Sequence, residues 1–148
     1  MVERKENPKS FLSKDEKAVV AEAIRQAEAQ TSGEICIYLE RKARGNLMPA
    51  ARKTFEKLGM SRTQKRNGVL IYLSLKTHEF AILGDTGIYK AAGEGFWKST
   101  AAKMQAEFGA GNFAGGLVAG ILEAGEKLAH YFPRDPSDRN ELPDRVYE

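Results

Sequence analysis

The chain has 148 residues, a length that fits one domain with a core of ordinary size. Hydrophobic residues make up 42% and charged residues 29%, the proportions of a soluble globular protein, and one cysteine, Cys36, excludes an internal disulfide. The net charge of +3 is too small to argue for nucleic acid binding.

The N-terminus, Met1 to Asn7, is polar and has no apolar signal core. Residues 1–12 are read as a polar arm. Ser13-Lys14-Asp15-Glu16 has the form of a capping box, and Val19, Val20, Ala23, Ile24 and Ala27 place one apolar stripe on a helix running to about Gln30. Thr31-Ser32-Gly33 stops it. Glu34 to Glu40 then alternates, with Ile35, Ile37 and Leu39 on one face of a strand. Cys36 lies in this run and reads as a small buried hydrophobe. Gly45-Asn46 breaks the chain. Leu47, Ala51, Phe55 and Leu58 recur at helical spacing until Gly59.

Val69 to Leu75 has no polar residue before Ser74, which predicts a strand covered on both faces. A helix separates it from the first strand, so the two are expected to be parallel. Lys76-Thr77-His78 is too short for a crossover, so Phe80 to Leu83 is expected to return antiparallel. Two helical stretches follow, Gly95 to Phe108 and Phe113 to Phe132, the second capped by Asn112. The pattern predicts a three-layer α/β/α sandwich around a small mixed sheet, with the domain over residues 13–132. The remainder, 133–148, has three prolines, three basic residues and five acids, and reads as an irregular charged tail.

The last helix carries Gly115, Gly116, Gly120 and Gly125. Each interior glycine costs up to about 1 kcal/mol against alanine. Close packing of a neighbouring backbone compensates such a cost; so does a ligand approaching the helix. The apolar run from Phe113 to Leu122 is far shorter than the roughly 20 residues that span a bilayer. The expectation is a cytoplasmic protein without a membrane span.

Candidate chemistry is sparse. No P-loop, no Gly-x-Gly-x-x-Gly turn and no Gly-x-Ser-x-Gly elbow occurs. One cysteine and two distant histidines cannot build a zinc cluster. Asp85 stands out, a lone carboxylate between Gly84 and Thr86-Gly87 at a strand end. It either ligates a hard cation such as calcium or magnesium or caps the turn or helix that follows. Arg66, just before the central strand, either binds an anion or pairs with Asp85 or Glu94. Asn67-Gly68 also reads as a turn. Trp97 is a core or groove-wall residue unless it stands exposed beside Asp85. Residues 41–66 hold nine basic side chains against one acid, Glu56. Such a run is usually a solvated helix face. It also suits phosphate or an acidic partner.

Several pieces together resemble the TPM domain family, found in thylakoid, bacterial and animal membrane-associated proteins. They are Ala29-Gln30-Thr31-Ser32-Gly33-Glu34-Ile35, the block Arg66-Asn67-Gly68-Val69-Leu70-Ile71, the turn Gly84-Asp85-Thr86-Gly87-Ile88, and Phe108-x-x-Gly111-Asn112-Phe113-x-x-Gly116-Leu117. The similarity covers about Ser13 to Phe132. It implies the same α/β/α sandwich, and that calcium binding is possible. It also brings a proposed acid phosphatase activity and roles in maintaining protein complexes. Family members commonly carry an Asp pair about six residues before the capping serine; here those positions read Asn7-Pro8. Losing two carboxylates weakens any divalent site. The expectation is therefore a soluble interaction domain with a protein partner and no certain cofactor. Its ligand-facing set is Arg66, Asn67, Asp85, Thr86, Glu94 and Trp97, with Asp85 as the metal candidate. A metal-assisted phosphomonoester hydrolase is the alternative, with Arg66 holding phosphate. Nucleic acid is the weakest of the partner classes.

Overall fold

Ser13 begins the first long helix through the reciprocal cap its spacing predicts. The Glu16 amide donates to Ser13 Oγ at 3.1 Å, and the Ser13 amide donates to Glu16 Oε1 at 2.9 Å. Such a cap is worth about 1 kcal/mol. The computed structural model describes residues 6–134 and 146–147. Along the chain come α1 (Pro8–Phe11), α2 (Lys14–Glu28), β1 (Glu34–Glu40) and α3 (Leu47–Lys57). After a 3₁₀ turn at Met60–Arg62 follow β2 (Gly68–Ser74), β3 (Glu79–Gly84) and α4 (Thr86–Ala92). A second 3₁₀ turn, Glu94–Trp97, leads into α5 (Lys98–Gly109), α6 (Phe113–Tyr131) and β4 (Val146–Tyr147).

The sheet has the order β3-β2-β1-β4. β1 runs parallel to β2 with Ile37 opposite Ile71, and β3 returns antiparallel with Ile82 opposite Ile71. The parallel crossover and the antiparallel hairpin are both as the element lengths require. All seven residues of β2 are buried. On one face Val69, Ile71 and Ile35 meet Val20 and Ile24 of α2 and Leu117, Ile121 and Leu128 of α6. On the other, Leu70, Tyr72 and Cys36 meet Ala51 and Phe55 of α3. The architecture is the expected α/β/α sandwich, with α3 alone among the long helices on its face.

Four differences from the sequence reading have local causes. β1 alternates in hydropathy yet is covered on both sides, because α3 reaches Cys36 and Tyr38. The stretch from Gly95 is split into a 3₁₀ turn and α5, and a further short helix, α4, fills Thr86–Ala92. Within the expected N-terminal arm, Pro8–Phe11 forms a helical turn capped by Asn7, whose Oδ1 accepts from the Lys9 amide at 3.0 Å. Phe11 and Leu12 are buried, and the Phe11 ring meets Phe113 edge-on at 5.0 Å. Residues 1–5 of that arm lie outside the described residues, as does most of the expected tail. Within the tail, Val146 pairs with Ile37 and Tyr147 with Tyr38.

Three of the α6 glycines, Gly116, Gly120 and Gly125, face neighbouring helices, while Gly115 faces its own cap, Asn112. A Cβ on Gly116 would meet the Phe108 ring at 2.5 Å, and one on Gly125 would meet Ala27 Cβ at 2.7 Å. Close packing on α5 and α2 therefore accounts for both. Gly109, the last residue of α5, has open space within 4 Å. Gly125→Ala is expected to destabilise the domain by about 1–3 kcal/mol in urea unfolding. Gly109→Ala should be neutral or stabilising by up to about 1 kcal/mol.

Tyr72 stacks on Tyr38 with centroids 6.0 Å apart. Burial, then the Glu40 charge and Tyr38, push the Tyr72 phenol from 10.0 up to about 12. The folded state thus favours the neutral phenol. Its contribution is complete below about pH 10 and is lost as pH rises through the folded value of about 12. Stability should fall over that alkaline window, in step with tyrosinate absorbance, and Tyr72→Phe should flatten the fall.

Candidate functional site

The β2–β3 register brings the loop before β2 against the loop after β3. Val69 lies opposite Gly84, so the next position pairs Gly68 with Asp85, whose amide donates to the Gly68 carbonyl at 2.9 Å. Arg66 turns through a left-handed conformation, φ 50°, and its carbonyl accepts from the Gly87 amide at 2.9 Å. The two backbones come so close that a Cβ on Gly87 would sit 2.6 Å from the Arg66 oxygen. Only glycine fits there.

That approach aligns the side chains. Arg66 Nε donates to Asp85 Oδ2 at 2.8 Å, and Nη2 donates to Oδ1 at 3.0 Å. The Thr86 amide also donates to Oδ1, at 2.7 Å, so Asp85 caps α4. The Asp85 side chain is 4% exposed and that of Arg66 48%. Hydrogen bonding to Asp85, then its charge, raises the Arg66 guanidinium above its ordinary range. The pair is a planar, two-bond clamp that closes the open end of the hairpin.

A hard cation does not fit this carboxylate. Calcium takes about six to eight oxygen ligands, several of them ionised. Both Asp85 oxygens already accept hydrogen bonds, two of the three from a guanidinium whose positive charge opposes a cation. Among the described residues, no three His, Cys, Asp or Glu side chains gather into a metal-holding group. Asn7 is used as the cap of α1.

The expected ligand-facing set divides into three. Arg66, Asp85 and Thr86 form the clamp. Asn67 is 1% exposed and works as a strut: its amide donates to Thr63 Oγ1 at 3.3 Å, and its Nδ2 donates to Ser32 Oγ at 3.2 Å. Glu94 and Trp97 lie on a groove of about 630 Å³ along β3. Its apolar wall is Phe80, Ile82, Tyr89, Trp97 and Ala101, with Met48 entering from α3, and Glu94, Lys98 and Gln105 stand at its margin. Tyr89 Oη accepts from the Gly84 amide at 3.0 Å, which couples α4 to the strand. The Phe96 carbonyl accepts from Lys127 Nζ, and that cation lies 5.2 Å from the Phe96 ring centroid, so the Glu94–Trp97 turn is tied to α6. The Trp97 indole N–H is buried and has no acceptor among the described residues.

Sequence reasoning missed Met48, Phe80, Ile82, Tyr89, Lys98, Ala101 and Gln105. The period-2 spacing of Phe80 and Ile82, which puts both on one face of a strand, was the one signal available. The rest come from three separate elements, α3, α4 and α5, and meet only in the fold.

A family model described as the TPM domain matches residues 6–127. The NMR structure of the BA42 protein from the psychrophilic bacterium Bizionia argentinensis is 39% identical, with a TM-score of 0.90. The alignment covers 97% of this chain and 99% of that one. The NMR structure of the N-terminal domain of a P. gingivalis protein is 21% identical over 82% of this chain and 78% of that one. At a TM-score of 0.65 that second likeness shows the fold alone. Among curated proteins, none matches.

The clamp generates a stability prediction. Asp85→Ala removes the α4 cap and is expected to lower unfolding free energy by about 1 kcal/mol or more. Asp85→Asn keeps an acceptor for the Thr86 amide and should cost less. Urea midpoints for the two variants give the comparison, and equal losses would show that the charge, not the cap, dominates.

Proposed function

The chain belongs to the TPM domain family, and from that premise we propose that it is a non-catalytic interaction domain that seats its ligand in the groove along β3. The observation that carries this reading is the contrast between two neighbouring features. The carboxylate best placed for chemistry is spent on a guanidinium and a helix amide. The groove beside it is apolar, has an indole in its wall and stands open.

In this reading Glu94 and Trp97 touch the ligand. Arg66 and Asp85 are positioning residues, since they lock the hairpin end to α4, whose Tyr89 forms part of the wall. The half-exposed guanidinium keeps an outward face for an anionic group at the groove's end. The ligand is a protein partner, because an elongated apolar surface with a polar margin suits a polypeptide segment. No described helix is long and apolar enough to cross a membrane. Action in the cytoplasm belongs to the same proposal and is supported by a sequence that holds one cysteine, Cys36, which is buried. Phosphomonoester hydrolysis through a metal at Asp85 would need a carboxylate free to bind it and a second group within hydrogen-bond reach of the substrate.

Two measurements test the proposal. Purified protein with calcium or magnesium should hydrolyse para-nitrophenyl phosphate no faster than its Asp85→Ala variant, and calcium should leave the Asp85 and Thr86 amide resonances in place. An apolar dye, anilinonaphthalene sulfonate, should bind saturably and accept energy from Trp97, and Ala101→Arg should abolish the transfer. Asp85-dependent turnover would sink the non-catalytic reading, and a dye that ignores Trp97 would sink the groove.

A further inference from the structure

We propose that the free edge of β3 receives an extended acidic segment of a partner protein as a fifth strand of the sheet. This rests on the groove reading above and gives the occupant a chemistry.

β3 is the last strand in the order β3-β2-β1-β4, so one of its edges has no strand beside it among the described residues. The bond from the Asp85 amide to the Gly68 carbonyl fixes which residues face which way. Residues directly opposite alternate between bonded and non-bonded pairs in an antiparallel ladder. Asp85, Leu83, Ala81 and Glu79 therefore turn their backbone toward β2, and Gly84, Ile82 and Phe80 turn theirs outward. The Gly84 amide is taken by Tyr89 Oη at 3.0 Å, as that parity requires. The amides of Phe80 and Ile82 have no acceptor among the described residues. Natural sheets usually blunt an edge with proline, lysine or a bulge. Between Phe80 and Gly84 this strand has none of these.

The edge opens onto the groove, which continues to both sides of the strand. Trp97 and Ala101 stand on the α5 side, and Met48, 38% exposed, on the α3 side. An added strand would set alternate side chains beside Phe80 and Ile82, against the apolar wall. Its other side chains would face α3. One turn beyond Met48 on the same helical face lies Arg52, with Lys53 next to it. All nine basic residues of segment 41–66 are exposed, against one acid. The partner segment should therefore alternate apolar and acidic residues. A second copy of this chain suits the edge poorly. Two-fold pairing of β3 with β3 would set one basic α3 against the other, and like charges across an interface select against it.

The test uses the full chain and two synthetic peptides, one alternating valine with glutamate and one alternating valine with lysine. The glutamate peptide should slow hydrogen exchange at the Phe80 and Ile82 amides and shift Trp97 fluorescence. It should bind roughly tenfold tighter than the lysine peptide and weaken as salt is raised. The exposed double variant Arg52→Glu, Lys53→Glu should reverse that preference. Unchanged exchange at Phe80 and Ile82, or equal affinity for both peptides, overturns the proposal. Protection of those amides that grows with protein concentration in the absence of peptide overturns it in favour of self-pairing. Failure here with dye binding intact leaves the groove reading standing, whereas a dye that ignores Trp97 removes the groove reading, and Asp85-dependent hydrolysis removes the non-catalytic reading without bearing on the edge.

Discussion

The open end of the hairpin is organised by a guanidinium meeting a carboxylate across its mouth. Arg66 and Asp85 are 19 residues apart in the chain and share two parallel hydrogen bonds. The contact requires Arg66 to take a left-handed turn and Gly87 to lack a side chain, because the two backbones otherwise collide. Once made, it fixes where α4 starts. α4 in turn brings Tyr89 back to Gly84, and the turn after α4 delivers Trp97 to the side of β3. A two-bond ion pair suits this task better than a single contact, since the planar fork fixes orientation as well as distance.

The same contact decides what kind of chemistry the site can do. A carboxylate at a strand end on a glycine-rich turn is a common beginning for a metal or acid–base centre. Its usefulness depends on lone pairs left over after the fold has taken what it needs. Here the fold engages both oxygens: the guanidinium donates to each, and the first amide of a helix donates to Oδ1 as well. What remains available lies beside the clamp, where an apolar wall and an unpaired strand edge face the same opening. Burial of apolar surface supplies affinity in such a place, and backbone bonding supplies direction.

Local patterns made much of the architecture legible. The Ser13 cap, the buried run of β2 and the short link at Lys76-Thr77-His78 each specify a neighbour-level event, and each is found as its residues require. The glycines of α6 announced close packing, though not which helices would come close. Within the candidate set, pairing between Arg66 and Asp85 was one of the readings open from sequence. The burial of Asn67 as a strut between Thr63 and Ser32 was not, because its partners lie on two different loops. α4 was missed, since its seven residues are too few to show a period.

By itself the sequence determined the long helices and the three main strands, that two strands run parallel and one returns, and that a single acid stands at the hairpin's end. Those are consequences of hydropathy period, capping residues and loop length, all set within a few positions of the chain. Only the tertiary structure decided that the acid is engaged, that Glu94 and Trp97 line a neighbouring groove instead of joining it, and that β3 ends the described sheet. Each of those depends on which distant groups compete for the same hydrogen bonds or cover the same surface, and such competition is settled when the layers close.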